Sequence, residues 1–235
     1  MMINTIENRF ATDFTFQDRQ TKAKYVWLKY EPILRGKKLL DVGADECHLK
    51  QYLDADASYW GIGLGDKLDQ IVNLETDGLP FEDNSFDCVL CLDVLEHIEN
   101  IHEIFDHLCR VAREHVIIAL PNPWGSLYSV LRHGFYQPDA PLKFYGLPVE
   151  PPEDRHKWFF SAEEAERFII YRAAKNEMRV VQLDYSSYMR EALSPKFAFL
   201  RLGYQLRRFA QRTLINEQIA MKNLYAGTLW VVLAK

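Results

Sequence analysis

The sequence predicts an α/β fold built on a doubly wound, mostly parallel sheet of seven strands. Short apolar runs alternate with amphipathic segments through the first half of the chain, which is typical of strands and helices arranged around a parallel sheet. The opening strand, "KKLLDVG", ends in an acidic residue and a glycine. A long insertion, in place of a simple crossover helix, separates the last two predicted strands.

The composition is that of an ordinary globular protein. The chain has 235 residues, 48% of them hydrophobic and 26% charged, so it can bury a sizeable core in one domain or two small ones. Its net charge of −5 argues against a dedicated nucleic-acid binder, which usually carries a basic surplus. We see no secretory leader and no apolar run of membrane-spanning length, so we expect a cytoplasmic chain without an integral membrane segment.

The four cysteines are expected to be free thiols. Cys88 and Cys91 have the C-x-x-C spacing, but they lie in a predicted strand, where positions three apart point to opposite faces. A metal-binding or redox-active pair is therefore not expected, and reduced thiols agree with a cytoplasmic location.

The elements of the first half follow in order. Residues 16–35 predict an amphipathic helix with Tyr25, Val26 and Leu28 on its apolar side. "CHLKQYLDA" is predicted to be helical, and "NIHEIFDHLCRVAR" to be a helix with one apolar face. That face consists of Ile101, Ile104, Phe105, Leu108 and Val111. The predicted strands are "KKLLDVG", "SYWGIGLG", a weaker "QIVNLE", the start of "FDCVLCLDVLEHI", and "EHVIIALPNP".

The second half departs from this alternation. Residues 121–152 hold most of the prolines and many aromatic residues, which predicts a loop or lid. "SAEEAERFIIYRAAKN" is predicted to be a helix, with Ser161 as its N-cap and Glu164 completing a capping box. "EMRVVQLDYSS" and "AGTLWVVLAK" are the sixth and seventh strands, and the insertion between them, residues 186–222, is locally basic.

Asp41 and Gly43 form the first candidate site. Ligands of open parallel sheets bind beyond the carboxyl ends of the strands, and a glycine there lets the backbone approach a ligand closely. A tight strand-to-helix turn that needs one glycine is an equally good interpretation. A strand-end loop under a nucleotide usually has two further glycines, but Asp45 and Cys47 stand in their places. The G-x-G-x-x-G pattern of nicotinamide dehydrogenases is also absent.

The succession "LLDVGA", "GLPFEDNSFDCVLCLDVLEHI" and "VIIALPNP" resembles the class I S-adenosylmethionine-dependent methyltransferases. It is most similar to their small-molecule branch, which includes the ubiquinone-biosynthesis-type and type 11 enzymes. "RHKWFFSAEEAERFI" resembles a later H-x-x-F-F-S region of that family, and "NLYAGTLWVVLAK" its antiparallel last strand. The resemblance covers about residues 36–181 and 223–235.

The resemblance implies a single Rossmann-like methyltransferase domain over residues 1–235, with an N-terminal helical cap (1–35), a lid (121–160) and the basic insertion. It also implies S-adenosylmethionine as cofactor and transfer of its methyl group to a small molecule, such as a sugar or a lipid- or glycan-linked intermediate. The cofactor-binding residues that it implies are Asp41, Gly43, Ala44, Asp45, Gly63, Leu64, Asn73, Leu74, Glu75, Leu92 and Asp93.

On the substrate side, the resemblance implies that His97 faces the acceptor. His97 is the first candidate for a catalytic base, and Asp93 is the second. Related O-methyltransferases with E-x-x-E-H at this point can hold a divalent cation, so Asp93, Glu96 and His97 raise that alternative. Glu96 and His97 can equally pin the start of a helix, and we expect no resident metal.

Two departures from the family pattern favour a rival hypothesis. Asp45 and Cys47 replace loop glycines, and Gly63 stands where the family usually has an acid that accepts from both ribose hydroxyls. Asp66 or Asp69 could supply that acid from the following turn. Alternatively, the pocket is degenerate and the chain is a binding or scaffold protein with a methyltransferase fold.

The acceptor side offers less specific signals. The lid aromatics could line an acceptor pocket or simply pack the lid, and His156 and Lys157 are candidate polar partners. The basic insertion could contact an anionic substrate, or it could be a solvated face or the surface of a homodimer. The lid aromatics are Trp124, Tyr128, Phe135, Tyr136, Phe144, Tyr145, Trp158, Phe159 and Phe160.

Overall fold

The computed structural model describes residues 9–133, 144–152, 154–187, 209 and 219–235. Two compact units are present: the first comprises Met1–Leu120, Phe168–Asp184 and Trp230–Lys235, and the second comprises Pro121–Arg167 and Tyr185–Leu229. Some predictions lie outside the described residues. They are the first eight residues of the helical cap, the lid residues Phe135 and Tyr136, and most of the basic insertion 186–222.

The seven strands form one sheet in the order β3-β2-β1-β4-β5-β7-β6. The strands are β1 (Lys38–Val42), β2 (Ser58–Gly63), β3 (Gln70–Ile71), β4 (Phe86–Leu92), β5 (Ala112–Leu120), β6 (Arg179–Ser187) and β7 (Ala226–Ala234). The first five strands pair in parallel. The Lys235 N–H, just after β7, donates to the Glu114 carbonyl near the start of β5 at 3.0 Å, so β7 runs antiparallel to β5. The predicted fold class is confirmed.

The helices lie mostly where the periodicity predicted them. They are α1 (Arg19–Leu34), α2 (Ile101–Val111), α3 (Pro123–His133), α4 (Ala162–Lys175) and α5 (Met221–Tyr225). All five residues of the predicted apolar face of α2 are buried. The predicted capping box of α4 is present, since the Glu164 N–H donates to Ser161 Oγ and the Ser161 N–H donates to Glu164 Oε2.

Two local predictions were wrong, and two predicted elements are shorter than expected. Leu28 is 44% exposed, because α1 buries a stripe through Val26 and Tyr30, and a residue two positions from both lies on the opposite side of a helix. Part of the predicted lid loop is helix α3, which begins at Pro123, a position where proline's missing N–H costs nothing. The predicted third strand is only two residues long, because Asn73 starts a turn by accepting from the Asp77 N–H. "CHLKQYLDA" forms a single 3₁₀-helix, His48–Tyr52.

Helix α1 is anchored to the sheet by aromatic side chains. Trp230 of β7 is fully buried, and its ring centroid lies 5.1 Å from Tyr25 and 6.2 Å from Tyr30. Lys29 is also buried and donates to Asp184 Oδ2 of β6 at 2.6 Å. These contacts hold the helix so that its first turns reach the loops that follow β1 and β4.

The four cysteines are free, as predicted, and all four are buried. Within the described part of the chain, no helix combines the length and the apolar character that crossing a bilayer requires.

Candidate functional site

The loops that follow β1 and β4 meet at the carboxyl edge of the sheet. Gly43 has a φ of +74°, and a Cβ atom at this position would overlap Val94 Cγ2. The position therefore requires glycine for its left-handed backbone and for the close approach of the other loop. Asp41 and Asp93 are brought to this edge by the strands that precede them, as predicted for strands whose ends share one edge.

The loop keeps left-handed turns at the two positions where the family pattern expects glycine. Asp45 has a φ of 52° and Cys47 a φ of 55°. Asp is among the residues that tolerate this conformation best, and the Asp45 carboxylate pairs with Arg19 of α1. Cys47 fits because Gly61 faces it: a Cβ at Gly61 would lie 2.6 Å from Cys47 Sγ. The loop is thus a modified version of the glycine-rich loop with its backbone shape retained.

Asp41, at the end of β1, is a buried carboxylate with one oxygen already committed. It is 7% exposed, and Tyr59 of β2 donates its hydroxyl to Asp41 Oδ2 at 2.7 Å. Burial raises the pKa of Asp41 to about 6, while the hydrogen bond from Tyr59 and the positive charge of Lys22 act in the opposite direction. Such a group changes its charge near neutral pH and is poised to respond to a bound cation.

Asp93, just after β4, has a left-handed backbone and an ion-pair partner. Its φ is 55°, its N–H donates to the Ala119 carbonyl at 3.1 Å, and its carboxylate pairs with Lys22 of α1. The Lys22 ammonium also lies 5.3 Å from the centre of the Trp230 ring, and this cation–π contact stabilises the charged form of Lys22. Leu92, which precedes Asp93, is half-buried at the end of β4.

Gly63 ends β2 in a conformation that side chains disfavour. Its φ is +154°, and a Cβ there would lie 3.4 Å from Gly43 Cα. An acid at this position would therefore have a strained backbone, while its Cβ would make an ordinary contact with the loop after β1. Both carboxylate oxygens of Asp69 already have partners. Oδ2 accepts from the Gly61 N–H at 2.8 Å, and Oδ1 forms an ion pair with Lys50. Asp66 and Leu64 are exposed beside Gly63, which leaves Asp66 as the free acid nearest to it in the chain.

The residues predicted at the adenine are tied to the start of α2. Leu74 is buried, and its carbonyl accepts from Asn100 Nδ2 at 3.1 Å. Glu75 Oε1 accepts from the Glu99 N–H at 2.8 Å, and Asn73 Oδ1 accepts from the Glu75 N–H at 3.1 Å. Asn73, Leu74 and Glu75 are thus held together in one ordered turn.

The candidate base His97 lies in a 3₁₀-helix, Leu95–His97, directly after Asp93 and Val94. His97 is partly exposed, and its Nε2 lies 3.9 Å from Oε1 of the buried Glu96. Among the described residues, Asp93 does not join Glu96 and His97 in one set of metal-ligand atoms, and its carboxylate pairs with Lys22.

In the second unit, part of the predicted lid forms an aromatic cluster around His156. The Phe144 ring stacks on the imidazole at 4.2 Å between centroids, and Tyr145 Oη lies 2.5 Å from His156 Nδ1. Phe159 packs edge-on against Tyr145. Elsewhere in this unit, the hydroxyls of Tyr128 and Tyr225 are 2.8 Å apart. At least some of the lid aromatics therefore pack on each other.

Sequence reasoning missed three residues of the site: Arg19, Lys22 and Tyr59. The sequence showed Tyr59 only as a residue of a predicted strand. Gly61, two positions later, lies on the same face of the strand and, without a side chain, leaves room there for a ring. Arg19 and Lys22 lie one turn apart at the start of α1, but no pattern in that helix indicates which loops they reach.

Comparisons with known proteins agree with this architecture. Residues 45–120 match a family described as "Methyltransferase domain", which is the type 11 family. The segment 45–120 is therefore similar to a type 11 methyltransferase domain. The predicted family, the enzyme class and S-adenosylmethionine as cofactor are confirmed. A search of the curated proteins finds no match to this chain.

Solved structures show the same fold at low sequence identity. An S-adenosylmethionine-dependent methyltransferase from Archaeoglobus fulgidus has a TM-score of 0.57 and 15% identity, covering 92% of this chain and 94% of that one. Magnesium protoporphyrin IX methyltransferase from Synechocystis PCC 6803, with bound S-adenosylhomocysteine, has a TM-score of 0.52 and 16% identity, covering 92% and 83%. A putative methyltransferase from Listeria monocytogenes has a TM-score of 0.52 and 13% identity, covering 91% and 98%.

The residues at the carboxyl edge fit the methyltransferase cofactor. Gly43 and Gly63 face each other without side chains, so the two loops present bare backbone where a Cβ would fill the space. The buried carboxylate of Asp41 suits an ammonium group, since a buried charge is stable only when it is paired.

Proposed function

We propose that this chain transfers the methyl group of S-adenosylmethionine to a small-molecule acceptor, such as a sugar or a lipid- or glycan-linked intermediate. The observation that carries the proposal is the meeting of the loops after β1 and β4 at Gly43 and Val94, beside the buried Asp41. A glycine that cannot be replaced and a half-satisfied buried carboxylate on the ligand-binding edge are features of a working site.

We assign the cofactor-binding roles along the sheet edge. Asp41 would bind the ammonium group of the cofactor, while Gly43, Ala44 and Asp45 would lie along its methionine part. Gly63, Leu64 and the exposed Asp66 would lie at the ribose, and the turn from Asn73 to Glu75 would lie at the adenine. Leu92 and Asp93 would lie near the sulfonium. The cofactor, when bound, supplies an electrophilic methyl group.

The acceptor's proton would be taken by His97. His97 follows Asp93 by one turn and is partly exposed, so an acceptor hydroxyl can reach it. Asp93 is the weaker candidate, because its carboxylate is occupied by the ion pair with Lys22. The chain's remaining task is alignment of the acceptor with the methyl group, which the loops after β1 and β4 would provide.

A binding or scaffold protein with a degenerate pocket is the second candidate. It is favoured because several polar groups of the edge are already satisfied within the protein. The N–H groups of Gly43 and Ala44 both donate to the Ile62 carbonyl, at 2.8 and 3.0 Å. Asp45 is paired with Arg19, and no acid stands at Gly63.

Calorimetric titration with S-adenosylmethionine and S-adenosylhomocysteine separates the two candidates. The first predicts micromolar binding, which Gly43→Ala weakens roughly a hundredfold or more by displacing Val94. Gly36→Ala is the matched control, since Gly36 is also left-handed (φ +63°) but a Cβ there meets nothing within 4 Å. No binding up to millimolar ligand by the folded, unsubstituted protein would contradict the first candidate.

The location of the protein, the class of its acceptor and its oligomeric state are also proposals. The four free cysteines support a cytoplasmic location, where thiols stay reduced. The net charge of −5 supports an acceptor other than a nucleic acid. A homodimer is tested by light scattering after gel filtration.

A further inference from the structure

Gly61 creates a space that Cys47 Sγ and the Tyr59 ring share. Gly61 pairs with Asp41 across the neighbouring parallel strands β1 and β2. A Cβ at Gly61 would lie 3.2 Å from Tyr59 Cε1, so the Tyr59 ring covers the glycine. The ring therefore points along the strand, and its hydroxyl reaches Asp41 Oδ2 at 2.7 Å. A larger residue at position 61 would crowd Cys47 Sγ and Ala44 Cβ as well as the Tyr59 ring.

Titratable groups approach Asp41 from every element around it. Tyr59 comes from β2, and Lys22 comes from α1, where it also pairs with Asp93. The thiols of Cys88 and Cys91 come from β4, and the thiol of Cys47 comes from the loop after β1. Burial raises the pKa of all three thiols, so they stay neutral. Tyr59 is thus the neutral hydrogen-bond donor, and Lys22 the cation, that stabilise the ionised carboxylate.

We propose that Tyr59 is a positioning residue of the cofactor site, which fixes the Asp41 carboxylate through Oδ2 and leaves Oδ1 for the ammonium group of S-adenosylmethionine. The inference rests on the proposed function, because it takes Asp41 as the partner of that ammonium group. Tyr59 also favours the charged form of Asp41 against the effect of burial, so cofactor binding near pH 6 depends on its hydroxyl.

The test is a series of calorimetric titrations with S-adenosylhomocysteine from pH 5.5 to 8.0. The proteins compared are the unsubstituted chain, Tyr59→Phe and Tyr30→Phe. Tyr30 is a matched control, since it is a buried tyrosine whose hydroxyl has no hydrogen-bond partner among the described residues.

We expect the affinity of the unsubstituted protein to rise with pH, with a midpoint near the Asp41 pKa of about 6. Tyr59→Phe should move that midpoint upward by about one pH unit, so that affinity falls roughly fivefold to tenfold at pH 6 and much less at pH 8. Tyr30→Phe should leave the profile unchanged. Asp41→Asn, which cannot ionise, should give weak binding with a flat profile, and it tests the same coupling should Tyr59→Phe not fold.

Equal midpoints for Tyr59→Phe and Tyr30→Phe, or a rising profile retained in Asp41→Asn, would overturn the inference. Both results include cofactor binding and so leave the proposed function standing. Absence of binding by the unsubstituted protein at every pH would instead contradict the proposed function itself.

Discussion

The two halves of the proposed cofactor site are built differently. The methionine half is rich in paired charges: Asp41 is bound by Tyr59, and Asp45 and Asp93 pair with Arg19 and Lys22. The nucleoside half has no acid at Gly63, and it presents apolar surface at Leu64 and Ile71, which are 72% and 70% exposed. If this edge binds the cofactor as proposed, we expect affinity to come mainly from charge in the first half and from apolar contact in the second.

Among the substitutions that change a charge, the largest expected effect comes from Asp41→Asn, which removes the buried charge of the methionine half. The substitution should weaken S-adenosylhomocysteine binding roughly tenfold to a hundredfold, since hydrogen bonds to a charged group contribute about 1.5–3 kcal/mol. Titration at pH 7.5 measures the loss. An unchanged affinity would contradict the assignment of Asp41 to the ammonium group.

The same substitution should stabilise the fold at high pH. Because burial raises the pKa of Asp41 from 3.8 to about 6, its ionisation destabilises the native state as pH rises through that interval. Urea unfolding should show a gain of about 1–3 kcal/mol for Asp41→Asn at pH 8 and little gain at pH 4, where the native carboxyl is neutral. An equal gain at both pH values would disagree with this account.

A second test restores the missing acid of the nucleoside half. Gly63→Asp should weaken binding by about tenfold, because the backbone conformation at this position is one that side chains disfavour. Gly63→Ala, which has the same backbone strain without a charge, is the control for strain alone. Tighter binding by Gly63→Asp would show that the nucleoside half is merely degenerate.

Lys22→Met should change the preference between the two cofactor forms. S-adenosylmethionine carries one more positive charge than S-adenosylhomocysteine. Removal of the Lys22 cation beside Asp93 should therefore favour binding of S-adenosylmethionine. We expect the affinity ratio to shift by about fivefold toward S-adenosylmethionine, with a smaller shift at high salt. Lys24→Met, an exposed lysine two residues away, is the control. A ratio equal to that of the control would place Lys22 too far from the sulfonium to matter.

The smallest effect is expected from Leu64→Ser. If the nucleoside half offers apolar contact, this substitution should weaken binding about twofold to fourfold and leave the unfolding free energy unchanged, because Leu64 is exposed. Leu28→Ser on α1, also partly exposed, should alter neither quantity. A loss above tenfold would show that apolar contact has been underestimated.

Local pattern was sufficient to predict most of the fold. Residues close together in the chain determine several of its elements. These are the apolar face of α2, the strands β1, β2, β4 and β5, and the capping box of α4. The errors arose where a local signal had two meanings. Pro123 can break a helix or begin one, and "QIVNLE" contains an asparagine that ends the strand early.

The contacts within the site could not be predicted in the same way. Lys22 and Asp93 are 71 residues apart in the chain, and Tyr59 and Asp41 are 18 apart. Which side chains meet depends on the packing of α1 on Trp230 and on the register between β1 and β2. The positions of Asp41 and Gly43 were predictable, because strand ends fix them, but the partners that set their charge were not.

The most direct test of the central claim is to locate the cofactor on the chain by NMR. Amide shifts of isotope-labelled protein would be followed during titration with S-adenosylhomocysteine. We predict that the largest saturable changes fall at Gly43, Gly63 and Asp93, at the carboxyl ends of β1, β2 and β4. Saturable changes confined to residues away from this edge, or none at millimolar ligand, would contradict the claim that this edge is the cofactor site.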